Sequence, residues 1–369
     1  MAIAKARLLL ILTLLLMLGA CSDEIEKSEY TRNQPANSIS IVAVGDIMLG
    51  GTAQEVLQKE DYNYPFKNVI SLLAYADVVI GNLEGPLTSI CNSSMDLDKK
   101  YIFRSPAEKV APALSKAGFN MLSLANNHIL DYGTEGMKDT IGALKAHNIH
   151  SVGTGKNITE ARAGTIVNTT GDKLGFLSYS LTFPESFWAT ENKPGTAFGH
   201  QQQITEDIKR LKKLADSVIV SFHWGREKTT ELRPYQPKLA RAAIDAGASI
   251  VLGHHPHVLQ AIEQYNGGLI LYSLGNFVFG SYSKDAQTSI VARITLIDGQ
   301  FHSAEFTPIN VLNAEVIFQP KILTDAAATR VIDHINQLSQ TTNTRLDQQN
   351  FRGYLHASKN KIQSLHLSN

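Results

Sequence analysis

Three histidines fall within four positions at Gly253-His254-His255-Pro256-His257, directly after the apolar run Ile250 to Leu252. Imidazoles that dense have little packing value and strong coordinating value. Five other short apolar runs also end in residues able to bind metal or phosphate. Ile39 to Val44 leads into Gly45-Asp46, Val78 to Ile80 into Asn82-Leu83-Glu84, and Met121 to Leu124 into Asn126-Asn127-His128. Val218 to Phe222 leads into His223-Trp224-Gly225, and Leu269 to Tyr272 into Gly275-Asn276. Imidazole, carboxylate and amide donors without thiolates suit one or two divalent transition ions, manganese, iron or zinc, and argue against a structural cysteine zinc site. Alternate residues His255 and His257, stiffened by Pro256, can point the same way along an extended segment and grip such ions.

Each residue taken singly keeps a plainer reading. Asp46 could cap the following helix, Glu84 precedes the rigid Gly85-Pro86 turn, and asparagines such as Asn126 and Asn127 tolerate left-handed turns. Asp131, three residues after His128, can orient that imidazole or cap a helix beginning near Thr134. Asn276, Lys100 and Arg104 are candidate substrate contacts. The two cations lie between the second strand and the next helix, where they meet either an anionic ligand or solvent.

Runs of three to six mostly apolar residues without alternation are strands buried on both faces, as in α/β folds, where ligands sit at the carboxyl ends of the strands. Helical spacing over Pro65 to Ala76, Pro106 to Ala117, Thr134 to Ala146, Thr205 to Leu214 and Pro234 to Ala246 supplies the covering layers. Hairpin signals pair Thr165 to Val167 with Leu174 to Ser180, Val258 to Ile262 with Leu269 to Tyr272, and Ile290 to Leu296 with Phe301 to Ile309. That many strands imply a second sheet packed on the first. From Ala314 the pattern reads as a strand, a helix over about Thr324 to Leu338, and a weakly patterned Gln-rich tail.

At the N-terminus, Lys5 and Arg7 precede an apolar stretch from Leu8 to Leu18 that is short for a membrane span and reads as a signal peptide. Leu18-Gly19-Ala20-Cys21 resembles the bacterial lipoprotein cleavage box. That resemblance implies removal of residues 1–20, a lipid bilayer anchor through acylated Cys21, and a cell-envelope location. With Ser22 following, the periplasmic face of the outer membrane is expected over the inner membrane. Polar residues 21–37 read as a flexible tether, 38–315 as one folded domain, and 316–369 as a helical extension packed on it or a partly disordered tail. The 34 basic and 34 acidic residues balance, leaving no electrostatic footprint for nucleic acid. With Cys21 lipidated, Cys91 has no partner for an internal disulfide. Neither a G-x-S-x-G elbow nor a P-loop is present.

The ordered set Gly45-Asp46-Ile47-Met48-Leu49, Asn82-Leu83-Glu84, Ala125-Asn126-Asn127-His128 with Asp131-Tyr132-Gly133, His223-Trp224-Gly225, Gly253-His254-His255-Pro256-His257 and Ser273-Leu274-Gly275-Asn276-Phe277 resembles the CapA family of poly-γ-glutamate capsule synthesis proteins. That family is related to calcineurin-like metallophosphoesterases. The resemblance implies a four-layer α/β/β/α sandwich, two mixed β-sheets flanked by helices. It also implies Asp46 as first metal carboxylate, Glu84 as bridging carboxylate, and Asn127, His223, His255 and His257 as further ligands. His128 takes the catalytic position, steadied by Asp131, and His254 and Asn126 fall among substrate contacts. Met48 stands where those enzymes carry a histidine and Ile129 where they carry an acid, so the number of ions is open. The resemblance thus implies a metal-dependent hydrolase of capsule biosynthesis or export, acting on a phosphoester or a polyanionic polymer alongside other capsule synthesis proteins. The alternative is a non-catalytic accessory protein that holds the polyanion in the same pocket.

Overall fold

The computed structural model describes residues 37–92 and 99–358. The expected signal peptide, Cys21 and nearly all of the tether lie outside the described residues. One compact unit begins at Ile39.

Its opening strand, Ser38–Met48, sorts its side chains by the two-residue period of a strand. Ile39, Ile41 and Ala43 enter one apolar core, while Val42 and Val44 enter another. The strand lies inside a ten-stranded mixed sheet, between Thr288–Ile297 and Val78–Leu83. Beyond Val78–Leu83, the sheet continues in parallel with Met121–Ser123 and His150–Val152. Asn276–Phe279 also pairs in parallel with the opening strand. A second, six-stranded sheet runs in the order Ile262–Tyr265, Gly268–Leu271, Ile250–His254, Ser217–His223, Lys173–Ser180 and Thr165–Asn168.

The inner faces of the two sheets meet through Ile41, Ala43 and Ile80 on one side and Phe176, Ile219, Leu252 and Leu271 on the other. Val42, Val79 and Leu122, on the first sheet's outer face, pack with Val110 and Leu114 of helix Ala107–Lys116 and Met137 and Leu144 of helix Gly133–Ala146. Val218, Val220, Val251 and Ile270 cover the second sheet's outer face with helices Gln201–Lys212 and Tyr235–Asp245. Helix Gln201–Lys212 meets that face with Ile204, Ile208 and Leu211, and places Lys209, Arg210 and Lys212 in its last turn, where cations oppose the helix dipole. Burying each such aliphatic side chain contributes about 1.5–3 kcal/mol. The result is a four-layer α/β/β/α sandwich, and burial on both faces is why the strand sequences do not alternate.

Tertiary packing overrides local pattern in several places. The amphipathic stretch from Pro65 to Ala76 forms a 3-10 turn, Tyr64–Phe66, and a four-residue helix, Ile70–Leu73. Phe66 is drawn against Phe119 and Phe277, with ring centroids 6.0 and 6.3 Å away, and Tyr75 takes a left-handed φ of 60°. The hairpin strand expected at Val258 to Ile262 lies further on, at Ile262–Tyr265, because Asn266 and Gly267 supply the left-handed pair that a two-residue turn requires. Asn313–Val316 is helical, and the strand expected from Ala314 is the short Lys321–Ile322, paired with Gln300–Asn310, ahead of the expected helix, Asp325–Leu338. The Gln-rich stretch forms Asp347–Gln349 and Arg352–His356, the latter paired antiparallel with Gln300–Asn310. Pairing at a sheet edge satisfies the backbone with few apolar side chains, Leu355 being the buried one in Arg352–His356.

Candidate metal centre

The carboxyl ends of both sheets' parallel strands converge. Asp46 is in register with Asn82 and Asn276 in the first sheet, and His223 with His254 in the second. Two glycines permit this approach. A Cβ on Gly45 would lie 1.9 Å from the Gly275 carbonyl oxygen, and one on Gly253 would lie 1.9 Å from that of Tyr272. The Gly-Asp and Gly-His pairs therefore reflect backbone crowding, not turn geometry.

Asp46 is fully buried. Its Oδ1 accepts from Asn82 Nδ2 at 2.9 Å, and its Oδ2 accepts from the His255 backbone N–H at 3.2 Å. His257 Nδ1 lies 3.1 Å from Oδ2, and His254 Nδ1 lies 3.4 Å from Oδ1. Glu84, equally buried, faces the same point. Its Oε1 stands 3.7 Å from His257 Nε2 and 3.9 Å from the Nε2 atoms of His128 and His223. That oxygen has no hydrogen-bond partner, and neither do His255 Nδ1 and both ring nitrogens of His254. Buried polar atoms left unpartnered are costly, and an unpartnered carboxylate oxygen ringed by imidazoles fits a cation.

The donors fall into overlapping groups. Glu84, His223 and His255 form one, and Asp46, Glu84 and His257 another; within each, the donor atoms lie within 4.8 Å of one another. Glu84 belongs to both, the position of a bridging carboxylate. A third group joins Glu227 to His255 and His257. The histidine segment is not extended as expected. His255 and His257 adopt left-handed φ values of 94° and 59°, and of the two groups that share Glu84 each takes one of their rings.

Burial alone would raise Asp46, yet its contacts with His254 and His257 hold it well below the ordinary carboxylate range. Burial, reinforced by Asp46, pushes Glu84 well above that range. Burial would also strip the proton from His257, but Glu84 and Asp46 prevail and raise it to about 10. Burial, with His257 beside it, lowers His255 to about 3, and burial with His255 lowers His223 well below the usual imidazole value. His257 thus carries a proton beside the two carboxylates, while His223 and His255 are neutral, as ligands must be.

Asn126 builds the turn that carries the next two residues. Its Oδ1 accepts from the N–H groups of His128 and Ile129 at 3.0 and 2.9 Å, and its Nδ2 donates to Leu83 O and Asn82 Oδ1 at 2.8 and 3.1 Å. Asn127 Oδ1 consequently meets His223 Nε2 at 2.8 Å. His128 Nδ1 lies 2.7 Å from Asp131 Oδ2, which assigns the proton to Nδ1 and turns the Nε2 lone pair towards Glu84. Burial holds His128 below its usual value against the pull of Asp131. Asn276 Oδ1 lies 2.9 Å from His257 Nδ1.

His254 is buried beside Asp46, away from the adjoining cleft of about 670 Å³, which Asn127, His255, Glu227, Phe198 and Lys238 help to line. Lys100 sits 5.2 Å over the Tyr101 ring and Arg104 5.7 Å over the Tyr132 ring. Lys99 is the cation that arrives, bonding Asp131 and Asn127 O. Sequence reasoning also passed over Asn82, whose amide joins Asp46 to Glu84, and Glu227. Asn82 was detectable from its two-residue spacing to Glu84, whereas Glu227, flanked by Arg226 and Lys228, looks like solvated charge. Ile129 is a core residue, and Met48 is buried with its methyl group near Gly51.

Residues 40–281, which contain every member of the ligand groups, match the family model described as bacterial capsule synthesis protein PGA_cap. The capsule biosynthesis protein CapA of Bacillus anthracis is 35% identical over 249 residues, covering 66% of this chain and 60% of that protein. The PGA biosynthesis protein CapA of Bacillus subtilis (strain 168) is 37% identical over 234 residues, covering 63% of this chain and 61% of that protein. The chain thus spans about three fifths of the length of these curated relatives. Among solved structures, the calcineurin-like phosphoesterase YfkN of Bacillus subtilis aligns with a TM-score of 0.45 at 14% identity, over 84% of this chain and 98% of that one. With the family match covering the whole histidine and carboxylate constellation, the chain belongs to the bacterial capsule synthesis protein PGA_cap family.

Proposed function

We propose that this protein is a metal-dependent hydrolase acting on a phosphoester during synthesis or export of a poly-γ-glutamate-type capsular polymer, held at the cell envelope by acylated Cys21. The observation that carries the reading is Glu84, buried, shared by two ligand groups and offering an unpartnered Oε1 between them. Asp46 and His257 would hold one ion of manganese, iron or zinc, and His223, His255 and Asn127 another. Bound there, divalent metal supplies the positive charge that acidifies water and neutralises ester oxygens.

The protein's own groups handle position and protons. Asp131 fixes the His128 tautomer, so Nε2 can accept a proton at the reaction centre and return it to the leaving oxygen. Lys99 screens Asp131 and secures Asn127 O, holding the turn rigid. The polymer assignment is supported by the names of the capsule-forming relatives. Met48, which offers no strong donor, favours a second reading, a polyanion-binding accessory protein with a reduced metal site.

Elemental analysis of the full chain and of His255→Ala, alongside hydrolysis of a generic phosphoester, tests the proposal. Bound metal with metal-dependent turnover, both lost in the variant, is expected. Metal without turnover on phosphoesters favours the accessory reading, and no retained or reconstitutable metal overturns both.

A further inference from the structure

Glu227 has no role in the hydrolytic scheme, yet its surroundings are unusual. It is exposed, and its carboxylate donor lies within 4.8 Å of donor nitrogens on both His255 and His257. Those two histidines otherwise serve separate groups, each completed by the buried Glu84. The Lys228 backbone N–H donates to Pro256 O at 2.8 Å, tying the loop after Glu227 to the residue between the histidines. Glu227 therefore keeps its place by a backbone bond. Among the described residues its carboxylate takes part in no hydrogen bond or ion pair, although Arg226 and Lys228 flank it, and Lys228 pairs instead with Asp285 at 3.2 Å. It also lines the cleft beside His255.

We infer that Glu227 is a metal ligand that enters from the solvent side, so that His255 and His257 stand between a buried carboxylate, Glu84, and an exposed one, Glu227. The inference rests on the metal reading above. An exposed carboxylate without other partners brings a negative donor at small desolvation cost. Its position at the cleft also makes it the ligand most easily displaced when an anionic substrate arrives.

The test uses the full chain as wild type, Glu227→Gln and Glu227→Ala, with manganese and cobalt as probes. Competition against a chelator is expected to show metal affinity reduced about tenfold or more in both variants. The visible spectrum of the cobalt-loaded protein, which reports coordination number and donor type, is expected to change. The melting temperature of the metal-free protein should move little, since the exposed carboxylate makes no hydrogen bond or ion pair among the described residues and acts on His257 only through space. Wild-type affinity and an unchanged cobalt spectrum in the variants would overturn this inference and leave the hydrolase reading intact. If the wild type binds no metal, both fall together.

Discussion

His257 carries a quantitative prediction. In the metal-free protein its ring keeps a proton up to about 10, because Glu84 and Asp46 flank it. Any ion held by Asp46, Glu84 and His257 must displace that proton. Near neutral pH the proton is held against a gap of about 2.5 pH units, which makes displacement cost on the order of 3 kcal/mol. Apparent metal affinity should accordingly rise about tenfold per pH unit between roughly pH 7 and 9, and level off as His257 titrates. Titration calorimetry in buffers of different ionisation enthalpy counts the protons released. At least one per protein is expected near pH 7.5, with Glu84, whose buried carboxyl is also raised, able to add to the count. Metal-free stability should follow the opposite course. A histidine raised on folding stabilises the folded state fully below its unfolded value of 6.5 and loses that contribution as pH climbs towards about 10. Affinity independent of pH with no proton release would refute the assignment of His257 as a ligand in this cluster.

Other perturbations separate the roles of neighbouring residues. Asp131→Asn should lower kcat about 10²- to 10⁴-fold through the wrong His128 tautomer while leaving metal content unchanged, as steady-state kinetics with elemental analysis would show. Asn82→Leu deprives Asp46 of a buried donor and should cost about 2–4 kcal/mol in denaturant unfolding of the metal-free protein. Gly45→Ala forces a methyl group into the Gly275 carbonyl and should destabilise by about 1–3 kcal/mol or more, read as a lower melting temperature.

The chemistry was legible in the residues because its signals are local. A buried strand can end abruptly in His, Asp or Asn only where something rewards those groups, so the histidine cluster, Asp46, Glu84 and Asn127 stand out from the chain. The layered architecture was legible for a similar reason, since strands covered on both faces must be apolar throughout and helices covered on one face must show a stripe. The Gln-rich C-terminal strands were hidden because their backbone pairing at a sheet edge asks little of side chains. The broken helix after Tyr64 was hidden because Phe66 answers to Phe119 and Phe277, both remote in sequence.

The sequence by itself determined which donor types the centre contains and that strand ends present them. Only the tertiary structure decided how they are shared. Glu84 joins two groups because the two sheets bring His223, His255 and His257 around its carboxylate, a convergence of distant segments that spacing cannot encode. Lys99 reaches Asp131 where Lys100 does not, and Glu227 lies beside His255 and His257 because a backbone bond to Pro256 folds its loop over them. Such contacts follow from the path of the chain in space, and the residue types alone leave that path open.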